Sequence, residues 1–192
     1  MKDRSVNCKM NELLRKKART ASALFLCFLF YAVCGWIYEV ALGFRYGRGF
    51  INRGFLFGPW LPVYGFGAML MLPLQKLKKY GPLAVFAAST LYATVIELIT
   101  SYAMEIVNGA WLWDYQEEPL NFQGRIAVWP SCRFGFLILA MLYLVHPLLM
   151  RLIRRTPWRA GRVIAGMLAV LFFADCIARL FLGSNLKDPA LF

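Results

Sequence analysis

Six ionisable side chains lie within or at the rim of long apolar stretches of this sequence, where charge is rare. They are Glu39, Glu97, Glu105, Arg133, Asp175 and Arg179. A charged side chain at the centre of a bilayer costs about 2.5 kcal/mol or more when it faces lipid. We therefore expect each of them to face neighbouring helices or water, as residues on ion or solute paths do.

The spacing of these residues places several of them on shared helix faces. Glu97, Ser101 and Glu105 stand at positions i, i+4 and i+8, which makes one polar stripe on a helix. Asp175 and Arg179 are also four residues apart and can form an ion pair. Opposite charge for the carboxylates is available from Arg53, Arg125 and Arg133. The pattern predicts a charged cavity for an unknown solute or ion; a structural network of salt bridges and a catalytic site are the alternatives.

The composition shows which elements must carry these residues. The chain has 192 residues, of which 60% are hydrophobic and 17% charged, and its mean hydropathy is +0.54. These values exclude an ordinary soluble domain and a disordered chain. The apolar residues form blocks at 21–44, 54–74, 82–107, 126–150 and 160–183, each long enough to cross a hydrocarbon core of about 30 Å as a helix. We therefore expect an all-α fold, with one five-helix transmembrane domain (21–183), a basic tail (1–20) and a short tail (184–192).

The second apolar block differs from the others in its glycine and proline content. It contains Gly54, Gly58, Pro59, Pro62, Gly65, Gly67 and Pro73. Both residue types weaken a helix interior. We expect this span to be kinked or unwound near 58–62, with freed backbone groups that line a cavity as in transporters. A span that is merely bent by proline is the alternative.

Lysine and arginine are unevenly divided between the two sides if all five blocks cross. Fifteen lie on one side: Lys2, Arg4, Lys9, Arg15, Lys16, Lys17, Arg19, Lys76, Lys78, Lys79, Arg151, Arg154, Arg155, Arg159 and Arg162. Five lie on the other: Arg45, Arg48, Arg53, Arg125 and Lys187. Basic residues favour the cytoplasmic side. The count predicts a cytoplasmic N-terminus and an external C-terminus in the inner or plasma membrane, with the six intramembrane charges in the outer half. Without the second crossing the division would be nine against eleven, so the count favours five spans.

The remaining sequence features bear on which partners, metal sites and catalytic sites the sequence predicts. The net charge is +12, but the basic residues lie mainly at the ends of apolar blocks, which favours membrane orientation over nucleic-acid binding. Five cysteines without a CxxC pair and one histidine do not predict a disulfide framework or a metal site. No GxSxG, HExxH, GxGxxG or Walker A sequence occurs, so no catalytic residue, cofactor or metal is assigned. The aromatic and acidic loop 111–119 predicts either an interfacial belt or a lid over the cavity.

Five short motifs carry a family resemblance. They are GWIYE (35–39), NRGFLFGP (52–59), PVYGFGA (62–68), WDY (113–115) and NFQGRI (121–126). Together they resemble the bacterial membrane family called Putative ABC-transporter type IV, or CmpB-like, over about residues 35–135. The resemblance implies a small multi-pass permease. The polar positions that carry over from it are Glu39, Asn52, Arg53, Glu97, Asp114, Asn121 and Arg125.

The partners and the alternatives follow from this resemblance. A transport function driven by ATP would require a separate ATPase subunit, besides the lipid bilayer itself, and a homo-oligomer is left open. Two other functions are also left open. One is a membrane enzyme that acts on lipid or cell-wall head groups, because carboxylates accompany arginines. The other is a non-catalytic membrane partner or sensor, in which the charges are structural pairs.

Overall fold

The computed structural model describes residues 2–45, 47, 49–50, 52, 54–109, 111 and 113–182. The chain divides into two compact units. The first is built from residues up to Met69 and from Leu149 onward, and the second from Leu70–Leu148. The architecture is all-α, as the apolar blocks predict.

The first unit is formed mainly by α1 (Lys2–Arg45) and α6 (Trp158–Leu182), joined by the start of α2 (Pro62–Met71) and most of α5 (His146–Arg155). Its buried core contains Phe28, Leu29, Leu56 and Phe172. The rings of Phe28 and Phe172 meet edge to face, with 5.7 Å between their centroids. Helix α2 approaches α1 closely at Gly65, where a Cβ atom would overlap the Phe28 ring and carbonyl. A glycine is therefore required at this contact.

The second unit contains a 3₁₀-helix (Leu72–Tyr80), α3 (Pro82–Asn108), a small hairpin and α4 (Val128–Ala140). The hairpin pairs β1 (Asn121–Phe122) with β2 (Ile126–Ala127) in antiparallel register. The core of this unit contains Met71, Val85, Ala93, Ile138 and Leu142. Helices α3 and α4 pack closely where Thr90 and Phe86 fill the space that a Cβ atom of Gly135 would occupy.

Four of the described helices are long and apolar enough to cross a membrane. They are Glu12–Arg45, Pro82–Ile106, Val128–Arg155 and Trp158–Leu182. The second predicted span is not among them. Residues 54–61 are not helical, α2 has 10 residues, and the chain then tightens into a 3₁₀-helix of 9 residues. The predicted break by glycine and proline is thus confirmed, and α2 begins at Pro62, a favourable first position for proline.

The fourth span carries a π-helical turn at Met141–Val145 between α4 and α5. Pro147 explains it, because a proline cannot donate a backbone hydrogen bond to the preceding turn and its ring crowds the carbonyl there. The Lys78 ammonium donates to the carbonyl oxygen of Leu142 at 2.7 Å, within this turn. The irregular turn is therefore stabilised from the 3₁₀-helix of the same unit.

Candidate functional site

Residues 109, 111 and 113–127 of the second unit include several that contact side chains of α3, and we call these residues the lid. Gly109 ends α3 with a φ of 77°, and its N–H donates to the carbonyl of Glu105 at 2.8 Å. The hairpin turn has positive φ at both Gln123 (54°) and Gly124 (68°), and Arg125 N–H donates to the carbonyl of Phe122 at 3.0 Å. Such a turn favours glycine because a left-handed backbone strains most other residues. The turn therefore places Arg125 directly after a tight reversal of the chain.

Asp114 and Asn121 brace the inside of the lid. The Asp114 carboxylate accepts the N–H of Gln116 at 2.9 Å. The Asn121 amide donates to the carbonyls of Gln116 and Glu118 at 3.0 and 2.9 Å, and its oxygen accepts the N–H of Gly124 at 3.1 Å. Both side chains replace backbone hydrogen bonds that an irregular loop lacks. Their role in the fold is therefore to hold the lid in one conformation.

Arg125 is the most deeply buried charge of the lid, with 5% of its surface exposed. One guanidinium nitrogen, Nη2, lies 2.5 Å from Oε2 of Glu105. The guanidinium also stacks between the Tyr102 and Trp111 rings, at 4.1 and 3.9 Å from their centroids. Its Nε and Nη1 atoms are buried and have no hydrogen-bond partner within the part of the chain that the structure describes. These two donors could bind an acceptor atom from outside the chain.

Glu97 forms the second contact between α3 and the lid. The Tyr115 hydroxyl donates to Glu97 Oε1 at 2.8 Å. Burial, and then the neighbouring Glu97 carboxylate, raise the pKa of Tyr115 above its usual value, so this hydroxyl keeps the proton that it donates. The second carboxylate oxygen, Oε2, is buried and accepts no hydrogen bond from the described residues. It could accept one from a solute or bind a cation.

Ser101, the middle member of the predicted stripe, plays a different part. It is fully buried, and its hydroxyl donates to the carbonyl of Leu98 on its own helix at 2.8 Å. The stripe on α3 therefore offers two carboxylates to the lid, with a serine between them whose hydroxyl is already engaged.

Two further contacts complete the attachment of the lid. The Tyr102 hydroxyl donates to the side-chain oxygen of Gln123 at 2.9 Å. On α4, Nη2 of Arg133 lies 3.3 Å from Oε1 of Glu118, at a site where the arginine side chain is 53% exposed. The lid is thus fixed to its two helices by polar side-chain contacts, which can break and re-form at a smaller cost than a packed apolar core.

In the first unit the predicted charges gather around residues 52–64. The Asp175 carboxylate accepts the backbone N–H groups of Phe57 and Gly58 at 3.0 and 2.8 Å and the Trp60 indole N–H at 2.6 Å. The Arg179 guanidinium lies over the rings of Phe55 and Phe57, 5.2 and 5.1 Å from their centroids. Within the described residues, Asp175 and Arg179 do not form the ion pair that their spacing allows, because the non-helical backbone offers donors to the carboxylate.

Asn52 and Glu39 fix the same region from either side. The Asn52 oxygen accepts the Trp36 indole N–H at 2.6 Å, and its amide donates to the carbonyl of Phe57 at 2.9 Å. The Tyr64 hydroxyl donates to Glu39 at 2.6 Å. Arg53, which the sequence also predicts for the site, lies outside the described residues.

Comparison with known proteins identifies the family. Residues 26–180 match the family described as Putative ABC-transporter type IV. The chain belongs to this family. No curated protein matches it, and no solved structure does. The match extends on both sides of the region 35–135 that carries the resembling motifs, so it reaches into each of the four long apolar helices among the described residues and covers both sets of polar residues.

The family polar positions therefore divide between the two units. Glu97, Asp114, Asn121 and Arg125 belong to the lid region of the second unit, together with Ser101, Glu105 and Arg133; Glu39 and Asn52 belong to the first unit, together with Asp175 and Arg179. Sequence reasoning missed the aromatic partners Tyr102, Trp111, Tyr115 and Trp60. For Trp111 and Tyr115 the signal was the aromatic loop 111–119, which composition alone could not separate from an interfacial belt. Tyr102 and Trp60 lie outside this loop, and no sequence motif pointed to their roles. Among the described residues, no group of three or more His, Cys, Asp or Glu side chains could hold a metal ion.

Proposed function

We propose that this chain is the membrane-embedded permease component of an ABC-type transport system, and that it holds a small polar solute between α3 and the lid. The family match and the apolar helices support a membrane transport role. The observation that carries the proposed site is the set of unpartnered atoms on Arg125 and Glu97.

The chemistry of these atoms indicates what kind of solute would fit. A buried polar atom without a partner costs about 1–3 kcal/mol, so proteins rarely keep one without a reason. The free N–H groups of Arg125 suit an acceptor such as a carboxylate or phosphate oxygen. The free oxygen of Glu97 suits a donor such as an ammonium or amide. Glu97 lies eight residues before Glu105, the partner of Arg125, which is about 12 Å along the axis of α3. A solute whose acceptor and donor groups are separated by a comparable distance would pair with both residues.

Access to these atoms requires the lid to move, because they are buried when it is closed. Opening would break the Tyr115–Glu97 and Arg125–Glu105 contacts while the helices stay packed. Solute could then reach the unpartnered atoms of Arg125 and Glu97, and the lid would close over it. Many enzymes use loop closure of this kind.

The orientation and energy source form part of the same proposal. We place the N-terminus in the cytoplasm and the lid on the external side of the cell membrane, from the distribution of lysine and arginine. Residues 54–74, with α2 as their helical part, would serve as the second crossing. Because no Walker A sequence occurs in these residues, ATP hydrolysis would come from a separate ATPase subunit.

The experiment combines purification with solute profiling. The tagged chain is purified from its native membrane, and ATP hydrolysis by the preparation is measured. Intracellular metabolites are compared between cells with and without the gene. We expect an ATP-hydrolysing subunit to co-purify and a polar metabolite to change in abundance. Glu97→Gln should abolish the metabolite change. Glu12→Gln, at an exposed glutamate of α1 that pairs with Lys16, is the matched control and should leave it unchanged.

The transport role and the site beneath the lid each have an outcome that would contradict them. If no ATP-hydrolysing subunit co-purifies and the metabolites are unchanged, the transport role is wrong. If transport is present but Glu97→Gln retains it fully, the transport role stands and the site beneath the lid is wrong.

A further inference from the structure

The second unit contains a groove of about 360 Å³ on a different part of α3 from the carboxylates. Phe86 and Leu91 of α3 form one wall, Val128 of α4 another, and Leu120 and Phe122 of the lid cover it. This groove is not explained by a polar solute, because its lining is almost entirely apolar.

The position of the groove indicates which environment it faces. Its two helical walls belong to Pro82–Ile106 and Val128–Arg155, both of which are candidate membrane spans. Leu91 and Val128 are exposed along it. At its floor, Thr94 donates to the carbonyl of Thr90 on the same helix at 2.8 Å. An apolar groove between two such helices is suited to a hydrocarbon chain.

Leu120 gives an independent observation. Its φ is 53°, a left-handed conformation that is unfavourable for an L-residue other than glycine. Its side chain is nevertheless 80% exposed, so packing within the chain does not compensate for this cost. The strained backbone holds an apolar side chain over the groove. Strain of this kind is typical of ligand contacts.

A charged residue adjoins the groove on α4. Cys132 lines the groove, and Arg133 is the next residue of α4. The Arg133 guanidinium is half exposed and makes one 3.3 Å contact with Glu118. It also lies 5.8 Å from the ring centroid of Trp129, an exposed tryptophan of the kind found at membrane interfaces. A basic side chain beside an interfacial tryptophan can bind the phosphate of a lipid head group.

We propose that this groove binds one acyl chain of an anionic phospholipid, with the lipid phosphate against Arg133. The chain would contact Leu120 and Phe122 and so favour the closed lid. The inference goes beyond the proposed function, because lipid binding requires neither an ATPase nor a transported solute.

The test uses the full chain in phosphatidylcholine vesicles. A small fraction of the lipid is phosphatidylglycerol with a photoactivatable group on its acyl chain. After illumination, labelled positions are mapped by peptide mass spectrometry. We expect labels to concentrate on the groove residues of α3, α4 and the lid. Labels spread evenly over all outward helix faces would overturn the proposal, because they would indicate ordinary surrounding lipid.

Two variants of α3 test the groove itself. Ala87 lines the groove, so Ala87→Trp should fill it and remove most of the label. Leu83→Trp, at an exposed position on the same helix, is the matched control and should leave the label unchanged. Cys132→Phe would fill the groove from α4 if Ala87→Trp does not fold. Equal labelling in a folded groove-filling variant and its control would overturn the proposal.

The head group is tested separately. Arg133→Gln should lower labelling by the anionic probe about fivefold, since one basic side chain near a membrane surface contributes about 1 kcal/mol to its attraction. A phosphatidylcholine probe with the same acyl chain should be affected much less. Free inorganic phosphate should not compete with the lipid probe. Complete competition by free phosphate would mean that an anion site alone exists, and the acyl-chain proposal would be wrong.

Discussion

Several carboxylates on the helices of this protein contact residues of non-helical segments rather than residues of their own helix. Glu97 and Glu105 bind Tyr115 and Arg125 of the lid, and Asp175 binds backbone N–H groups of the non-helical segment. Helical spacing predicted which carboxylates share a face of α3. It did not predict their partners, because irregular backbone offers donors that hydropathy and periodicity do not reveal.

Asp175 gives the clearest prediction at this scale. Asp175→Asn keeps the size of the side chain but removes its charge and replaces one acceptor oxygen with a donor. Hydrogen bonds to charged groups contribute about 1.5–3 kcal/mol each. We expect the free energy of unfolding to fall by about 2 kcal/mol, on this scale, measured as denaturation of the purified protein in detergent.

The control for Asp175 is Glu12→Gln, which removes an exposed carboxylate with a single surface ion pair. Such pairs contribute little to stability, so this variant should unfold like the wild-type protein. If Asp175→Asn is as stable as Glu12→Gln, then Asp175 does not hold residues 57–60 in place.

At the scale of elements, hydropathy predicted most of the long helices well. The block 82–107 corresponds to α3 (Pro82–Asn108), and 160–183 corresponds to α6 (Trp158–Leu182). The first block, 21–44, underestimates α1 (Lys2–Arg45), because lysine, arginine and glutamate are good helix formers outside the membrane. The hairpin of the lid was not predicted, because strands of 2 residues carry no periodic signal and depend on the turn between them.

Glycines within helices provide the prediction at this scale. Gly135→Ala places a methyl group where Thr90 and Phe86 lie, so α3 and α4 must separate. Overpacking of this kind costs about 1–3 kcal/mol, and we expect a comparable loss in the free energy of unfolding. Denaturation of the purified protein in detergent measures it.

Gly166→Ala in α6 is the matched control, since no atom lies within 4 Å of the added Cβ atom. Alanine favours a helix over glycine by about 1 kcal/mol, so this variant should be at least as stable as the wild type. Equal losses in the two variants would show that α3 and α4 are not packed closely at Gly135.

For the whole molecule, helix length and charge distribution indicate different numbers of membrane crossings. The described residues include four long apolar helices, whereas the distribution of basic residues favours five crossings. Residues 54–74 can reconcile them. Helix α2 extends about 15 Å at the standard rise per residue, which is about half of a core of about 30 Å. The non-helical residues 54–61, which Asp175 holds through the backbone N–H groups of Phe57 and Gly58, would cover the rest, since irregular backbone is tolerated at membrane depth where it is buried in protein. Because proline and glycine interrupt this segment, a criterion based on long uninterrupted helices does not recognise it as a crossing.

Reporter fusions test this topology. A reporter that is active only in the cytoplasm is fused to each terminus in turn, and a second that is active only outside the membrane serves as the complement. Five crossings predict a cytoplasmic N-terminus and an external C-terminus. Both termini on the same side would show four crossings, and residues 54–74 would then not cross the membrane.

The central claim is that carboxylates of α3 hold the lid closed, and hydrogen exchange of the lid amides tests it most directly. Glu105→Gln weakens the contact with Arg125, a charged hydrogen bond that contributes about 1.5–3 kcal/mol, so exchange at Tyr115, Gly124 and Arg125 should accelerate by about tenfold or more. Exchange in α6 should not change. If the lid amides of Glu105→Gln exchange at the wild-type rate, the carboxylates do not hold the lid, and the site proposed beneath it is wrong.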